Sequence, residues 1–267
     1  MVGPVPLDRH PEALEGLRTA LAARYRGASP EAFTLAEESV VRSGLEALDA
    51  ALGGGFPRGI IATLEGPPGS GRSAVAARLL ATATAGGGLG ALVEVPAGPE
   101  GSFFPRALAA AGVDLDRLLV VRADRAGQIA RAADILMRAA AFGVVVIPAT
   151  ALRAPVWTRL ASLTHRANAL LIAVGLEASD ELRYFASLRV RLQSSNATFA
   201  GESGPFCALA GIGVDAAVLK HKRAAPGRHA QFACTTFERD GAPLGTLRER
   251  TRADAAALRP ERRAAIR

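Results

Sequence analysis

Gly66-Pro67-Pro68-Gly69-Ser70-Gly71-Arg72-Ser73 is the stretch on which the reading of this chain turns. It fits the spacing G-x-x-x-x-G-K-[ST] at every fixed position but one, with Arg72 where the lysine belongs. In a loop of that pattern the glycines let successive backbone N–H groups wrap a phosphate at a helix N-terminus. The lysine reaches the outer phosphates, and the Ser/Thr hydroxyl holds Mg²⁺. Gly66, Gly69, Ser70, Gly71, Arg72 and Ser73 are therefore the candidate cofactor-binding set. Arginine keeps the charge, but its planar fork does not replace a compact ammonium in a tight cradle. Anion binding is compatible with the change; efficient γ-phosphate chemistry is not.

Working outward, the apolar run Ile60–Leu64 predicts a strand into the loop, and Ser73–Thr84 predicts a helix out of it. The alternation continues downstream. Strands are predicted at Gly90–Val95, Leu118–Val121, Val144–Ile147 and Leu170–Val174, with helices at Phe104–Ala111, Ala126–Ala141 and Val156–Ala167 between them. Continuously apolar strands separated by helices indicate βαβ units and a mostly parallel sheet covered on both faces. After Arg183 the texture changes. Ser187–Gln193, Phe206–Leu209, Ala216–His221 and Gln231–Thr236 are predicted as short strands of a mixed edge. Upstream, Leu14, Leu17, Leu21 and Tyr25 recur at helical spacing in Pro11–Arg26, Ala28–Ser43 is a connection, and Leu45–Leu52 is a short helix. Beyond Glu238 core candidates thin out.

The chain has 267 residues, 49% of them hydrophobic and 21% charged, with a formal net charge of +7. That is a compact globular composition, and the basic excess speaks of acidic or nucleic-acid partners rather than of fold. Two cysteines, Cys207 and Cys234, form neither a disulfide framework nor a metal-ligand spacing, so no metal site is expected. The opening residues lack a basic stretch followed by an apolar one, and no apolar run approaches a membrane span. A cytoplasmic protein without a membrane partner is the expectation. Three segments are predicted: 1–40, an N-terminal helix and linker; 41–238, the core; and 239–267, a basic tail carrying Arg248, Arg250, Arg252, Arg259, Arg262, Arg263 and Arg267. An arginine-rich tail of this kind binds phosphate backbones weakly and without sequence preference, or folds on an acidic partner.

Four further segments make the chain resemble the RecA family over roughly residues 10–238. Arg42-Ser43-Gly44-Leu45-Glu46-Ala47-Leu48-Asp49-Ala50-Ala51-Leu52-Gly53 resembles the segment that precedes the RecA phosphate loop. Ala111-Gly112-Val113-Asp114-Leu115-Asp116-Arg117-Leu118-Leu119 is similar to G-V-D-x-D-x-L-L. Leu182-Arg183-Tyr184-Phe185-Ala186-Ser187-Leu188-Arg189-Val190 is similar to L-K-F-Y-A-S-V-R-L. Val218-Leu219-Lys220-His221-Lys222-Arg223-Ala224-Ala225-Pro226 is similar to V-V-K-N-K-x-A-A-P. The resemblance implies an α/β, RecA-like P-loop core: a mostly parallel central sheet flanked by helices, with mixed edge strands, an N-terminal helix and a short basic C-terminal tail.

The departures from that family bear on activity. Pro148 stands where the metal-site aspartate is expected, and Pro96 where the catalytic glutamate is, with Glu94 two residues earlier. Gly175-Leu176 replaces the glutamine sensor, and Ala107 the tyrosine that stacks on adenine. Without base and metal carboxylate the water activation and charge stabilisation of hydrolysis are gone. The expectation is a degenerate ATPase with no catalytic residue and no resident cofactor, ATP or ADP in a vestigial loop being the alternative. Both DNA-binding loops are also short, at Pro148–Pro155 and Glu177–Glu181.

What is kept lies on surfaces that RecA protomers use to stack. The resemblance makes Leu14, Leu17 and Leu21 of the first helix, with Lys220, Lys222 and Arg223, a candidate partner interface. Lys220 and Lys222 are the only lysines in the chain. A RecA-like core stripped in this way resembles the ImuA group of degenerate RecA paralogues, sometimes labelled SulA-like. That resemblance implies a non-catalytic adaptor in the DNA damage response and SOS mutagenesis. It would bridge RecA to an ImuB-like Y-family polymerase homologue and an error-prone C-family polymerase in translesion synthesis. The alternatives are a nucleotide-binding RecA/RadA-type ATPase of recombination and repair, and a SulA-like cell-division inhibitor.

Overall fold

The strand that enters the phosphate loop stands near the middle of an eight-stranded sheet in the computed structural model. The structure describes residue 19 and residues 40–98, 101–200, 208–223 and 226–235. The candidate interface residues Leu14, Leu17 and Leu21 and the arginines of the tail lie outside these. Two short strands, β1 (Val40–Val41) and β2 (Phe56–Pro57), pair antiparallel around helix α1 (Glu46–Ala51). Then follow β3 (Ile60–Glu65), α2 (Arg72–Thr84), β4 (Gly90–Glu94), α3 (Pro105–Ala110), β5 (Leu118–Arg122), α4 (Ala126–Ala139), β6 (Val144–Pro148), α5 (Ala154–Arg166) and β7 (Leu170–Gly175). Helix α6 (Asp180–Phe185) leads into β8 (Leu188–Ala200), β9 (Ala208–His221) and β10 (His229–Thr235).

In space the order is β10-β9-β8-β3-β7-β6-β4-β5. From β8 to β5 every pairing is parallel; β9 and β10 add an antiparallel edge. Helices pack on both faces. Val75, Ala76, Leu79 and Leu80 of α2 meet Ala62 and Leu64 on one. On the other, Ile129, Leu136 and Met137 of α4 and Trp157 and Leu160 of α5 meet Ile61, Val145 and Leu171. Strands covered on both sides must be apolar at consecutive positions, which is why β6 and β7 read as unbroken runs of Val, Leu and Ile.

The parallel core and its helices fall within a residue or two of the sequence prediction. The region after Arg183 differs. Phe206–Leu209 and Ala216–His221 are not separate strands: the described part of the first and all of the second belong to β9, whose pairing with β8 runs from Leu188↔His221 to Ala200↔Ala208. Helix α6, and the small sheet of β1 and β2, were not predicted. Phe104 is 64% exposed, whereas Trp157 is fully buried.

Trp157 fills the centre of the second core with a ring of large area. Replacement by alanine leaves a cavity there, and Trp157→Ala is expected to lower stability by about 3–5 kcal/mol, with Trp157→Phe much milder. Chemical denaturation measures both; equal midpoints for wild type and the alanine variant contradict this packing.

Candidate functional site

β3 delivers Glu65 and Gly66 to the C-terminal end of the sheet, and the chain turns through Pro67–Gly71 into α2. Gly66 has φ 154°, and an added Cβ would lie 2.2 Å from the Leu192 carbonyl oxygen and 2.6 Å from Ser70 Oγ. Its amide donates to the carbonyls of Gly175 and Leu176, each at 3.1 Å. Gly69 (φ 81°) and Gly71 (φ 90°) hold the left-handed turns that the wrap requires. Gly71 caps the N-terminus of α2, so the loop has the backbone of an anion cradle at a helix start. Inside it the Ser70 hydroxyl is fully buried and has no hydrogen-bond partner. An orphaned donor in such a loop fits a phosphate-type anion.

The metal half of the site is different. Ser73 is exposed on the first turn of α2, and Arg72 is 6% exposed. β6 ends in Pro148, paired with Val174 of β7, and β7 ends in Gly175, paired with Glu65 of β3. The position expected to carry the sensor thus lies beside the loop strand and the one expected to carry the metal carboxylate one strand further out, and neither side chain supplies a ligand. The backbone closes in instead. Ala149 N–H donates to Val174 O at 2.7 Å, and a Cβ added at Gly175 would meet Ala149 Cβ at 2.6 Å. Among the described residues no three His, Cys, Asp or Glu side chains are grouped as a metal site. The donors present at the loop, its backbone N–H groups and the Ser70 hydroxyl, fit an anion.

Pro96 is exposed in the turn after β4, and Ala107 is exposed on α3. Glu94 is 3% exposed, and both its oxygens are engaged. Oε1 meets Arg122 Nε at 3.0 Å and Oε2 accepts the Phe103 N–H at 3.1 Å. Its carboxylate ties the Phe103 backbone to the β4–β5 side of the sheet.

The sequence reading missed the ion pair at the base of the loop. Glu65 is fully buried on the face opposite α2 and takes both forks of Arg189: Nε to Oε1 at 2.8 Å and Nη2 to Oε2 at 2.9 Å. Thr63 Oγ1 donates to Oε1 at 2.7 Å. Burial alone raises the pKa of such a carboxyl. The hydrogen bonds from Arg189 and Thr63, the Arg189 charge and the Ala178 amide outweigh it, and the net shift is downward. The network continues outward: Arg191 lies 3.9 Å from Glu65 and 3.8 Å from Glu177, which pairs with Arg183. Partners 124 positions apart cannot be matched by pattern alone; the available signal was a lone carboxylate closing an apolar strand.

Lys220 and Lys222 stand at the far side of this network. Lys220 faces Arg189 across β8 and β9. Its ammonium donates to the carbonyls of Arg183 at 2.7 Å and Tyr184 at 3.0 Å, capping the last turn of α6. Partial burial, Lys222 and Arg189 all lower its pKa. Lys222 and Arg223 are exposed in the turn after β9, where the Arg223 amide donates to His221 Nδ1 at 3.1 Å.

A parallel α/β sheet with a glycine-rich loop between its central strand and a helix defines a P-loop-type protein. Residues 32–159, just under half of the chain, match the RecA N-terminal domain. The chain is 29% identical to Protein RecA of Picosynechococcus sp. over 231 residues, 73% of this chain and 64% of that protein. It is 40% identical to Protein RecA of Corynebacterium urealyticum over 118 residues, 44% of this chain and 31% of that protein. It therefore spans less than two thirds of either relative. The crystal structure of the RadB recombinase superposes with a TM-score of 0.56 at 19% identity, covering 75% of this chain and 97% of that one. The fold is RecA-like, and sequence and fold together support a place in the RecA-like superfamily.

The Glu65–Arg189 pair yields a prediction. Because the folded carboxyl is held below its ordinary value of 4.5, its stabilisation is present above that pH and is lost as pH falls through the lower, folded value. Arg189→Ala strands a buried carboxylate and is expected to cost about 3–5 kcal/mol at neutral pH. The variant should also lose the wild type's stability drop below pH 4.5, as read by denaturation across pH. An acid limb of the same slope in both proteins contradicts the assignment.

Proposed function

We propose that this chain is a non-catalytic, RecA-like adaptor of the DNA damage response. The observation that carries the reading is the set of strand ends around the loop. Gly175 ends the strand beside the loop strand and Pro148 ends the next one out, and neither offers a carboxylate or amide side chain to hold Mg²⁺ or sense a γ-phosphate. Glu94 is committed to Arg122 and the Phe103 amide. Phosphoryl transfer depends on positioning and charge stabilisation by such groups, and a cradle alone supplies neither the metal nor the base.

An adaptor of this build works through surfaces. The fold supports a docking role at the end of a RecA filament, with the Lys220–Arg223 turn facing a terminal nucleotide on the neighbouring protomer. In this reading the capping bonds of Lys220 set the height of the turn, and Lys222 and Arg223 meet the partner. The further partners are the ImuB-like polymerase homologue and the C-family translesion polymerase, in the cytoplasm. Likeness to ImuA-type proteins supports this part, together with the loss of catalytic residues. Among the described residues no helix is long and apolar enough to cross a membrane.

A second reading, a nucleotide-binding RecA/RadA-type ATPase, is favoured by one observation: the backbone of Gly66–Gly71 is built for an anion, with the Ser70 hydroxyl waiting inside it.

The adaptor reading predicts that the full chain binds ATP-loaded RecA filaments in co-sedimentation or biolayer interferometry. Lys220→Ala/Lys222→Ala is expected to weaken that binding about tenfold or more, and Lys222→Ala alone to account for much of it. Unchanged affinity in both variants, or no binding by the wild type, refutes the docking surface.

A further inference from the structure

The paired helices α4 and α5, on the face of the sheet away from α2, carry Arg131, Arg138, Arg159 and Arg166 against a single carboxylate, Asp134. Between them runs a groove of about 600 Å³ lined by Arg138, Pro155, Thr158, Arg159, Ser162 and Arg166. Asp134 lies beneath it with its side chain 7% exposed. Its Oδ2 meets Arg138 Nε at 2.9 Å, and its Oδ1 accepts from Arg159 Nε. One buried carboxylate thus fixes the stems of two guanidinium groups and leaves the wall of the groove with net positive charge. The Arg166 side chain makes no ion pair or hydrogen bond with another described residue. Arg131 is exposed one turn before Asp134 on the same side of α4.

We propose that this groove is a docking site for an acidic helical segment of a partner protein. Charge complementarity requires an anionic occupant, and arginine forks suit carboxylates held at fixed spacing. Along α5 the groove-lining positions Pro155, Arg159, Ser162 and Arg166 recur every three or four residues, as do Arg131, Asp134 and Arg138 along α4. A helix lying in the groove presents side chains with the same period, so glutamates two turns apart meet Arg159 and Arg166 of α5. Ser162 adds a hydroxyl to the rim, whereas the Thr158 hydroxyl donates to the Ala154 carbonyl at 3.0 Å.

The geometry favours a peptide over nucleic acid. Single strands are held by aromatic platforms beside basic tracks. The exposed aromatics Phe104, Tyr184 and Phe199 lie outside α4 and α5. A duplex presents a convex surface to a protein, and its phosphates do not enter a hollow between two helices. The proposal is independent of the Lys220–Arg223 surface and of the adaptor reading.

Fluorescence anisotropy with the full chain tests it. The probe is a fluorescein-labelled helical peptide with glutamates at three- and four-residue spacing, and the control is the same peptide with glutamines. Single-stranded and duplex oligonucleotides are measured in parallel. The glutamate peptide is expected to bind in a salt-sensitive manner and the glutamine peptide not to bind. Arg166→Gln, which leaves the Asp134 cluster intact, is expected to weaken binding about threefold, and Arg159→Gln/Arg166→Gln about tenfold or more. Equal affinity for both peptides, or an unchanged affinity in the double variant with its circular dichroism intact, overturns the proposal. So does a loss in Arg166→Gln confined to the oligonucleotides.

Discussion

The end of β3 is where the molecule is most tightly constrained. At Gly66 the backbone of one strand comes so close to the Leu192 carbonyl that no Cβ fits, while its amide is shared between Gly175 and Leu176. One residue earlier, Glu65 is locked to Arg189 in a buried two-pronged pair. These contacts join β3 to β7 on one side and β8 on the other, at the level where the glycine-rich loop begins. Everything near that end of the sheet is positioned by them: the loop, the turn that closes over Gly175, and the β8–β9 edge that carries the lysines.

In the adaptor reading, that constraint lets a phosphate cradle persist without the groups that make one catalytic. The cradle is made of backbone, and its shape follows from glycines and from the strand pairings beneath it. The metal ligand and the sensor, by contrast, are side chains on neighbouring strands, and here those positions are a proline and a glycine packed against backbone. The rigidity of the scaffold and the chemistry of the site are separable because different atoms supply them. The same ionic network that anchors the loop reaches, through Arg191, Glu177 and Arg183, the carbonyls that hold Lys220. The surface proposed for docking is thereby fixed to the body of the fold.

How far the sequence foretold this depends on which physical signal each element uses. The parallel strands announce themselves because burial on both faces demands consecutive apolar residues, as in Val144–Ile147 and Leu170–Val174. The β8–β9 hairpin does not, because its strands are held by cross-strand pairing and are rich in Ala, Gly and Ser. Gly213 reads as a break in β9, yet it lies within the strand, and the exposed Asn196 side chain at the bulge in β8 takes the space a Cβ would fill. Helix α6 has six residues, too few to show a period. At the site, the loop and the substituted positions were legible as spacing. The Glu65–Arg189 pair and the capping role of Lys220 were not, because each joins residues that only the fold brings together.

The central claim is that the loop has kept its shape and lost its chemistry. Release of inorganic phosphate from radiolabelled ATP by the full chain, with Mg²⁺ and with Arg72→Ala as the reference, tests it most directly. The account predicts a rate at background in both proteins. Turnover well above background in the wild type that disappears in Arg72→Ala contradicts it.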